Sequence, residues 1–497
     1  MKAILPFALL LLAASCSQPV SLTLSRPTEY TGRGNTNEIL LTAEASNPNA
    51  RIGRVRSVTI CLHRSADNVS AVRILCGDRV LGEAVTDSGN DTLVVECRGA
   101  VPGCSSLAVA ADIRPDAPEG STVSADIIEL SAGGACMKPE APEPGAREVL
   151  LRCKCLYRPG EGGSGFWRIP AMLQLSDGTL LAVNDKRNLT EEDLPGEIDV
   201  VRRYSTDGGE TWSEMAYIAQ NGGFIHGYGD PGLAELEDGT VVCTFTSGEN
   251  FTRSCVENPQ RSFFAVSKDF GRTWSEPQEF TSTVWGPESA NPYLNTFTSS
   301  FTASGNSLVL HSGPHKGRLL VANACSRGGG WGDLSTFAIR TDDGGASWNV
   351  SGPAALGCGD ESKMVELKDG RILMSIRHAG QRLHTYSNDW GETWEEPTPW
   401  DDVTGCACNG DMIRYNDDVL LHSVPVSDGL RENICILLSF DEGQSWTKGR
   451  SICPGPGQYS SITVLKDGTV GVFFEKNTNG VELWYENVSL DWIQGRI

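Results

Sequence analysis

Histidine is scarce. The chain has seven among 497 residues, and none is spaced as a pair of metal ligands. No H-E-x-x-H, G-x-S-x-G or G-x-x-x-x-G-K stretch occurs, which argues against zinc-hydrolase, Ser-His-Asp and P-loop chemistry. Basic residues are also few: 41 against 63 acidic ones give a net charge of −22. That balance argues against nucleic acid, whose binding rests on neutralising phosphates. It also predicts mild repulsion from anionic membranes and glycans, so an anionic ligand would need a local basic pocket. Long helical patterns are missing, and after the N-terminus no stretch approaches the ~18 apolar residues of a membrane helix. What is present points elsewhere. A hydrophobic content of 39% is enough for sizeable cores, and 55 glycines lean towards short strands and turns.

The first residues read as an address. Met1-Lys2 carries one positive charge, Ala3 to Ala14 is apolar, and Ala13-Ala14-Ser15-Cys16 follows. Such a segment predicts secretion, and the Cys after small residues resembles a bacterial lipobox. Residues 1–16 are therefore expected to be a lipoprotein signal. The protein would be exported to the periplasm or the outer-membrane or cell surface of a Gram-negative bacterium. Any membrane contact would be through that anchor alone. Fifteen cysteines remain, an odd number for an oxidising compartment. Cys153/Cys155 and Cys406/Cys408 lack the C-x-x-C spacing of structural zinc sites, so some disulfides plus buried thiols are expected and no metal.

Self-similarity organises the rest. One eight-residue pattern recurs as Ser205-Thr-Asp-Gly-Gly-Glu-Thr-Trp212, Ser267-Lys-Asp-Phe-Gly-Arg-Thr-Trp274, Thr341-Asp-Asp-Gly-Gly-Ala-Ser-Trp348, Ser387-Asn-Asp-Trp-Gly-Glu-Thr-Trp394 and Ser439-Phe-Asp-Glu-Gly-Gln-Ser-Trp446. Five of the twelve tryptophans close one of these boxes, so the pattern is not chance. Asp can accept backbone N–H bonds of its own turn, Gly supplies positive φ, and Trp offers a large apolar face. A calcium loop would need more spaced oxygen ligands than one invariant Asp. A second signal interleaves: Leu175-Ser-Asp-Gly-Thr-Leu, Leu236-Glu-Asp-Gly-Thr-Val, Leu367-Lys-Asp-Gly-Arg-Ile and Leu465-Lys-Asp-Gly-Thr-Val each read as strand, turn, strand. Two hairpins per period make four strands, one blade of a β-propeller. Five boxes plus a last hairpin near Asp467 predict six blades over 150–497. Residues 20–145 lack both patterns. Their period-two runs predict a small β-sandwich, and a Pro-rich linker over 138–145 separates the two. The fold class expected is all-β: a six-bladed β-propeller preceded by a small β-sandwich.

The boxes, together with Trp167-Arg-Ile-Pro170 ahead of the first one, resemble the bacterial exo-α-sialidase (neuraminidase) family over roughly residues 150–497. The N-terminal part is similar to the β-rich domain that precedes some of its members, and would be a carbohydrate-binding module or a spacer. The resemblance implies an arginine triad for the sugar carboxylate: Arg168, Arg377 in Arg371-Ile-Leu-Met-Ser-Ile-Arg377, and Arg431 in Leu430-Arg-Glu-Asn. Guanidinium groups suit that task because they offer planar paired donors and stay charged when desolvated. It implies a tyrosine nucleophile, Tyr459 in Gly457-Gln-Tyr-Ser, activated by Glu361 in Gly359-Asp-Glu-Ser. A neutral phenol approaches an anomeric carbon that carries a carboxylate without anion repulsion. It also implies an acid/base Asp on the loop before the first box. Asp185, Glu191, Glu192, Asp193, Glu197 and Asp199 are candidates. Asp193 fits the family's spacing, 25 residues past Arg168 and 12 before Ser205, with Glu192 its nearest rival. Arg187 and Asp230 would meet ring substituents, and Glu475 would orient Arg168.

The function so implied is exo-α-sialidase activity with retention, needing no cofactor. Its partners would be sialylated glycoproteins, glycolipids and oligosaccharides. Trans-sialidase or intramolecular transfer on the same site, and a non-catalytic sialic-acid-binding propeller, remain as alternatives.

Overall fold

A computed structural model describes residues 21–494 except 27–30, 33–35, 48, 50, 78, 88, 99–103, 115–116, 119–120, 134, 138, 140–146, 151–153, 221–222, 224–225, 288, 290, 329, 406, 428 and 478–479. The expected signal and lipobox at 1–16, and nearly all of the Pro-rich stretch, lie outside these residues. The chain divides into two compact units, Met1–Leu150 and Leu151–Ile497. It is all-β, and no helix among the described residues is long and apolar enough to cross a membrane.

In the first unit, strands Glu38–Ala45, Ser106–Ile113 and Val69–Cys76 pair in one antiparallel sheet. Asp126–Ala132, Val55–Cys61 and Thr92–Glu96 pair in a second. Alternate residues of both, among them Leu41, Val72 and Val109 with Val58, Ile60 and Leu130, meet in one buried cluster. This is the outcome of period-two patterning.

The second unit is a cycle of mainly antiparallel sheets. The first holds Phe166–Gln174, Leu180–Arg187, Ile198–Ser205 and Ala216–Ala219. Leu180–Arg187 is buried along its whole length because both faces are covered. Leu181 and Val183 pack on Leu233 and Val241 of the next sheet, while Leu180 and Ala182 pack on Phe473 and Leu483 near the chain's end. The half of the strand packed between sheets, residues 180–183, is accordingly a continuous apolar run, while residues 184–187 are buried polar and charged ones. The cycle closes when Lys154–Tyr157, from the unit's beginning, pairs with Val481–Val488 from its end. Strand Thr447–Val464 is long enough to serve two neighbouring sets and joins them into a seven-stranded sheet.

The boxes connect third to fourth strands, and their hydrogen bonds repeat. Asp441 Oδ1 accepts from Ser445 N (2.9 Å) and Oδ2 from Ser445 Oγ (2.6 Å), while Gly443 N donates to Ser439 Oγ (2.8 Å). The same set recurs around Asp207, Asp269, Asp343 and Asp389. The Gly at the fifth position of each box also docks that box onto the preceding sheet. A Cβ at Gly443 (φ 81°) would lie 2.3 Å from Leu373, and one at Gly209 would lie 2.1 Å from Tyr485 of the last sheet. Gly443→Ala is thus expected to cost about 3 kcal/mol, combining positive φ with overpacking. Gly370→Ala, at φ 84° with open space around it, should cost only about 1 kcal/mol. Urea midpoints of the two variants check this, and equal losses would deny the docking role.

No disulfide joins two of the twelve cysteines whose side chains are described, so among the described residues the expected disulfides are not found. Their packing explains it: Cys243, Cys325 and Cys453 are core residues, and burial raises their thiol pKa values.

Candidate active site

Two backbone bulges shape the site. Arg168-Ile-Pro170 falls where the strand pairing skips from Arg168 to Ala171, and Ile169 takes φ +60°. Gly229-Asp-Pro231 repeats the device one sheet later, with Asp230 at φ +58°. Proline cannot continue the ladder, and the bulge re-aims the side chains around it. A β-branched residue at positive φ is strained, so the surrounding structure must hold it.

Glu475 does this. It is fully buried within strand Val470–Asn477. Its Oε1 accepts from Arg168 Nε (2.8 Å) and from the backbone N–H of Ile169 (2.8 Å). Its Oε2 accepts from the backbone N–H of Tyr459 (3.2 Å). One carboxylate therefore fixes the bulge, the first arginine and the tyrosine together. Tyr459 itself lies where the pairing skips from Gly457 to Ser460.

The Tyr459 hydroxyl donates to Glu361 Oε2 at 2.6 Å and accepts from Arg377 NH1 at 3.0 Å. Arg377 also bonds the Glu361 carboxylate and lies 3.1 Å from Asp360. Burial, and then the Glu361 charge, push the Tyr459 pKa well above the ordinary phenol value. The group is thus a neutral phenol aimed at a buried base. Arg168 and Arg431 stand over its ring, each 5.6 Å from the centroid.

A second chain of charges faces it. Arg187, fully buried, bonds Asp185 Oδ2 (3.0 Å) and Asp193 Oδ1 (2.8 Å). The side chain of Asp193 is 69% exposed at the cavity wall. Desolvation works to raise its pKa, but Arg187, Arg168 and Arg431 outweigh it and hold the group below the usual carboxylate range. This is the opposite of the raised value an acid needs, and it describes the site before any substrate charge enters. Asp230 goes the other way: burial, then the charges of Asp185, Asp193 and Glu361, raise it well above the ordinary value.

Asp193, Asp230, Glu361, Arg377 and Tyr459 line one small cavity with Ile169, Leu194, Asn250, Phe251, Gln260, Phe301 and Trp331. Glu191, Glu192 and Glu197 are not in its wall, and Asp199 accepts from Asn188 instead. A larger cavity of about 1030 Å³ opens among Asn306, Met364, Met412 and Ile462 and holds none of the candidate residues.

The nine residues given roles in the sequence are thus gathered in one region. Asp185, one of the candidate acids, is also there, paired with Arg187 on the same strand face. Several other members were not foreseen. Asp360 and Gln458 are neighbours of Glu361 and Tyr459 in sequence. The aromatic wall of Phe251, stacked on Trp331 (5.2 Å) and edge-on to Phe301 (5.1 Å), had no signal, because three separate segments build it.

Residues 178–472 match the family model described as a BNR repeat-like domain. A sialidase of Micromonospora viridifaciens is 32% identical over 382 residues, covering 71% of this chain and 56% of that protein. The chain therefore spans little more than half of that relative. A sialidase of Bacteroides fragilis is 24% identical, covering 79% of this chain and 75% of that protein. Among solved structures, the Hadza microbial sialidase Hz136 superposes with a TM-score of 0.76 at 20% identity, covering 95% of this chain and 99% of the other, a likeness of fold.

Proposed function

The chain belongs to the sialidase family built on BNR repeat-like domains, and from that premise we propose that it is an exo-α-sialidase releasing terminal sialic acid with retention. The observation that carries the reading is the 2.6 Å bond from the Tyr459 hydroxyl to buried Glu361, with Arg377 on both groups. In the first step, Arg168, Arg377 and Arg431 grip the sugar carboxylate. Tyr459 attacks the anomeric carbon, its proton passes to Glu361, and Asp193 protonates the leaving oxygen. In the second step, Asp193 as carboxylate takes a proton from water, which displaces the Tyr459 oxygen as Glu361 returns its proton to it, restoring both groups. Two inversions give net retention. Arg187 and Asp230 would meet ring substituents. A sugar hydroxyl in place of water would make the same intermediate a transfer catalyst.

The finer architecture follows the same reading. It implies six blades over 150–497, the last completed by the pairing of Lys154–Tyr157 with Val481–Val488. Residues 20–145 form a β-sandwich that serves as an accessory module. Export with a lipid anchor at Cys16 would present the site to sialylated glycoproteins, glycolipids and oligosaccharides.

Release of a reporter from a synthetic α-sialoside tests the proposal. The wild-type protein should turn over, and Asp193→Ala should lose about 10²–10⁴-fold in kcat. Unchanged turnover in that variant would transfer the acid role to Glu192. Wild-type binding without release would make the protein a lectin. The pH profile carries a further expectation. Bound substrate adds a negative charge beside Asp193 and engages the arginines that depress it, so its pKa must rise on binding. Because the protonated form is the acid, the alkaline limb of kcat should lie at higher pH than that of kcat/KM. Coincident limbs would mean that the arginines do not govern Asp193.

A further inference from the structure

Arg431 is held unlike the other two members of the triad. Arg168 has Glu475 at 2.8 Å, and Arg377 has Asp360 at 3.1 Å as well as Glu361. Arg431 has no carboxylate within 4 Å among the described residues. Its hydrogen bonds go to two neutral oxygens, Gln458 Oε1 at 2.9 Å and Ala407 O at 3.5 Å. The same Gln458 oxygen accepts from Arg168 NH2 at 3.4 Å. One amide oxygen therefore lies between two guanidiniums that both stand over the Tyr459 ring.

We propose that Gln458 is a positioning residue whose neutral oxygen fixes Arg431 and Arg168 for a substrate carboxylate without neutralising them. The inference rests on the sialidase reading of the same site. The chemistry of the position favours an amide. A carboxylate there would satisfy both guanidiniums and compete with the substrate's own. An apolar side chain would leave Arg431 on a single long bond, beside a second positive charge. The amide carbonyl has two lone pairs, one for each fork, and carries no charge. Gln458 is placed for this by the bulge that also presents Tyr459, whose backbone N–H is pinned by Glu475. Nucleophile and spacer thus come from adjacent residues of one strand.

Grip on the substrate carboxylate acts in ground state and transition state alike, so its loss should appear in KM. Gln458→Ala is expected to raise KM for an α-sialoside about tenfold, with kcat within about threefold of wild type and an unchanged Tm. Calorimetric affinity for N-acetylneuraminic acid should fall in parallel. Arg431→Ala/Gln458→Ala should lose less affinity than the sum of the two single losses, since the spacer acts largely through Arg431, its nearer partner, and only in the remainder through Arg168. Gln458→Glu should raise KM more than the alanine variant at neutral pH. That excess should shrink as the pH falls and the new carboxylate takes up a proton. An unchanged KM in Gln458→Ala, a loss confined to kcat, or additive effects in the double variant would each overturn the proposal. A wild-type protein that neither cleaves the sialoside nor binds N-acetylneuraminic acid would overturn the sialidase reading and this inference with it. An active wild type with an indifferent Gln458 would overturn this inference alone.

Discussion

Tyr459→Phe is expected to lower kcat for an α-sialoside by about 10³-fold or more, as removal of a covalent nucleophile does elsewhere. The substitution deletes one oxygen and keeps the ring on which Arg168 and Arg431 stand. Substrate binding should therefore survive within a few-fold. Glu361 and Arg377 each lose one bond, but they remain paired with each other. The loss should accordingly be chemical rather than structural. Trapping with a fluorinated sialic acid that slows breakdown of the intermediate, followed by peptide mass analysis, gives a second reading. The added mass should fall on the peptide containing Tyr459. A label on another residue, or turnover in the Phe variant within tenfold of wild type, would remove Tyr459 from the nucleophile's role.

Glu475→Ala is the second large effect, and it should appear first as lost stability. Glu475 is wholly buried and receives a guanidinium and two backbone N–H groups. Removing it leaves Arg168 as a buried charge without its counter-ion, a change that costs about 3–5 kcal/mol in comparable pairs. The two orphaned N–H groups add to that cost. Glu475→Gln keeps the volume and one acceptor oxygen, so it should lose less. Urea unfolding measures both, and KM for the sialoside should rise in both because Arg168 is no longer aimed. A surface residue at the end of a strand would give changes within about 0.5 kcal/mol. That small result would mean that Glu475 does not organise the site.

The box repeats were legible because a turn is a local event. Asp207 and its counterparts bond residues only two to four positions away, so the full set of partners lies within eight residues. The apolar strands were legible for the same reason, since covering both faces of a sheet demands a continuous run. The sequence also exposed Arg187 and Asp185, two residues apart on one strand. It did not show that the Gly at the fifth position of each box is a contact with the neighbouring sheet, as Gly443 is with Leu373. Nor did it show what Gln458 does, because its partner Arg168 is 290 positions away.

Composition, repeat period and motif were therefore enough to predict an all-β chain of recurrent hairpins and to nominate arginines, a tyrosine and acids. The net charge of −22 also required any anionic ligand to find a local basic pocket. Only the tertiary structure decided that Arg168, Arg377 and Arg431 come together around Tyr459. It also decided that one is held by Glu475, one by Asp360 and Glu361, and one by an amide. The physical reason is distance along the chain. A turn closes through neighbours and is written locally, whereas a charge is tuned by whatever the closed ring of sheets brings within a few ångströms of it.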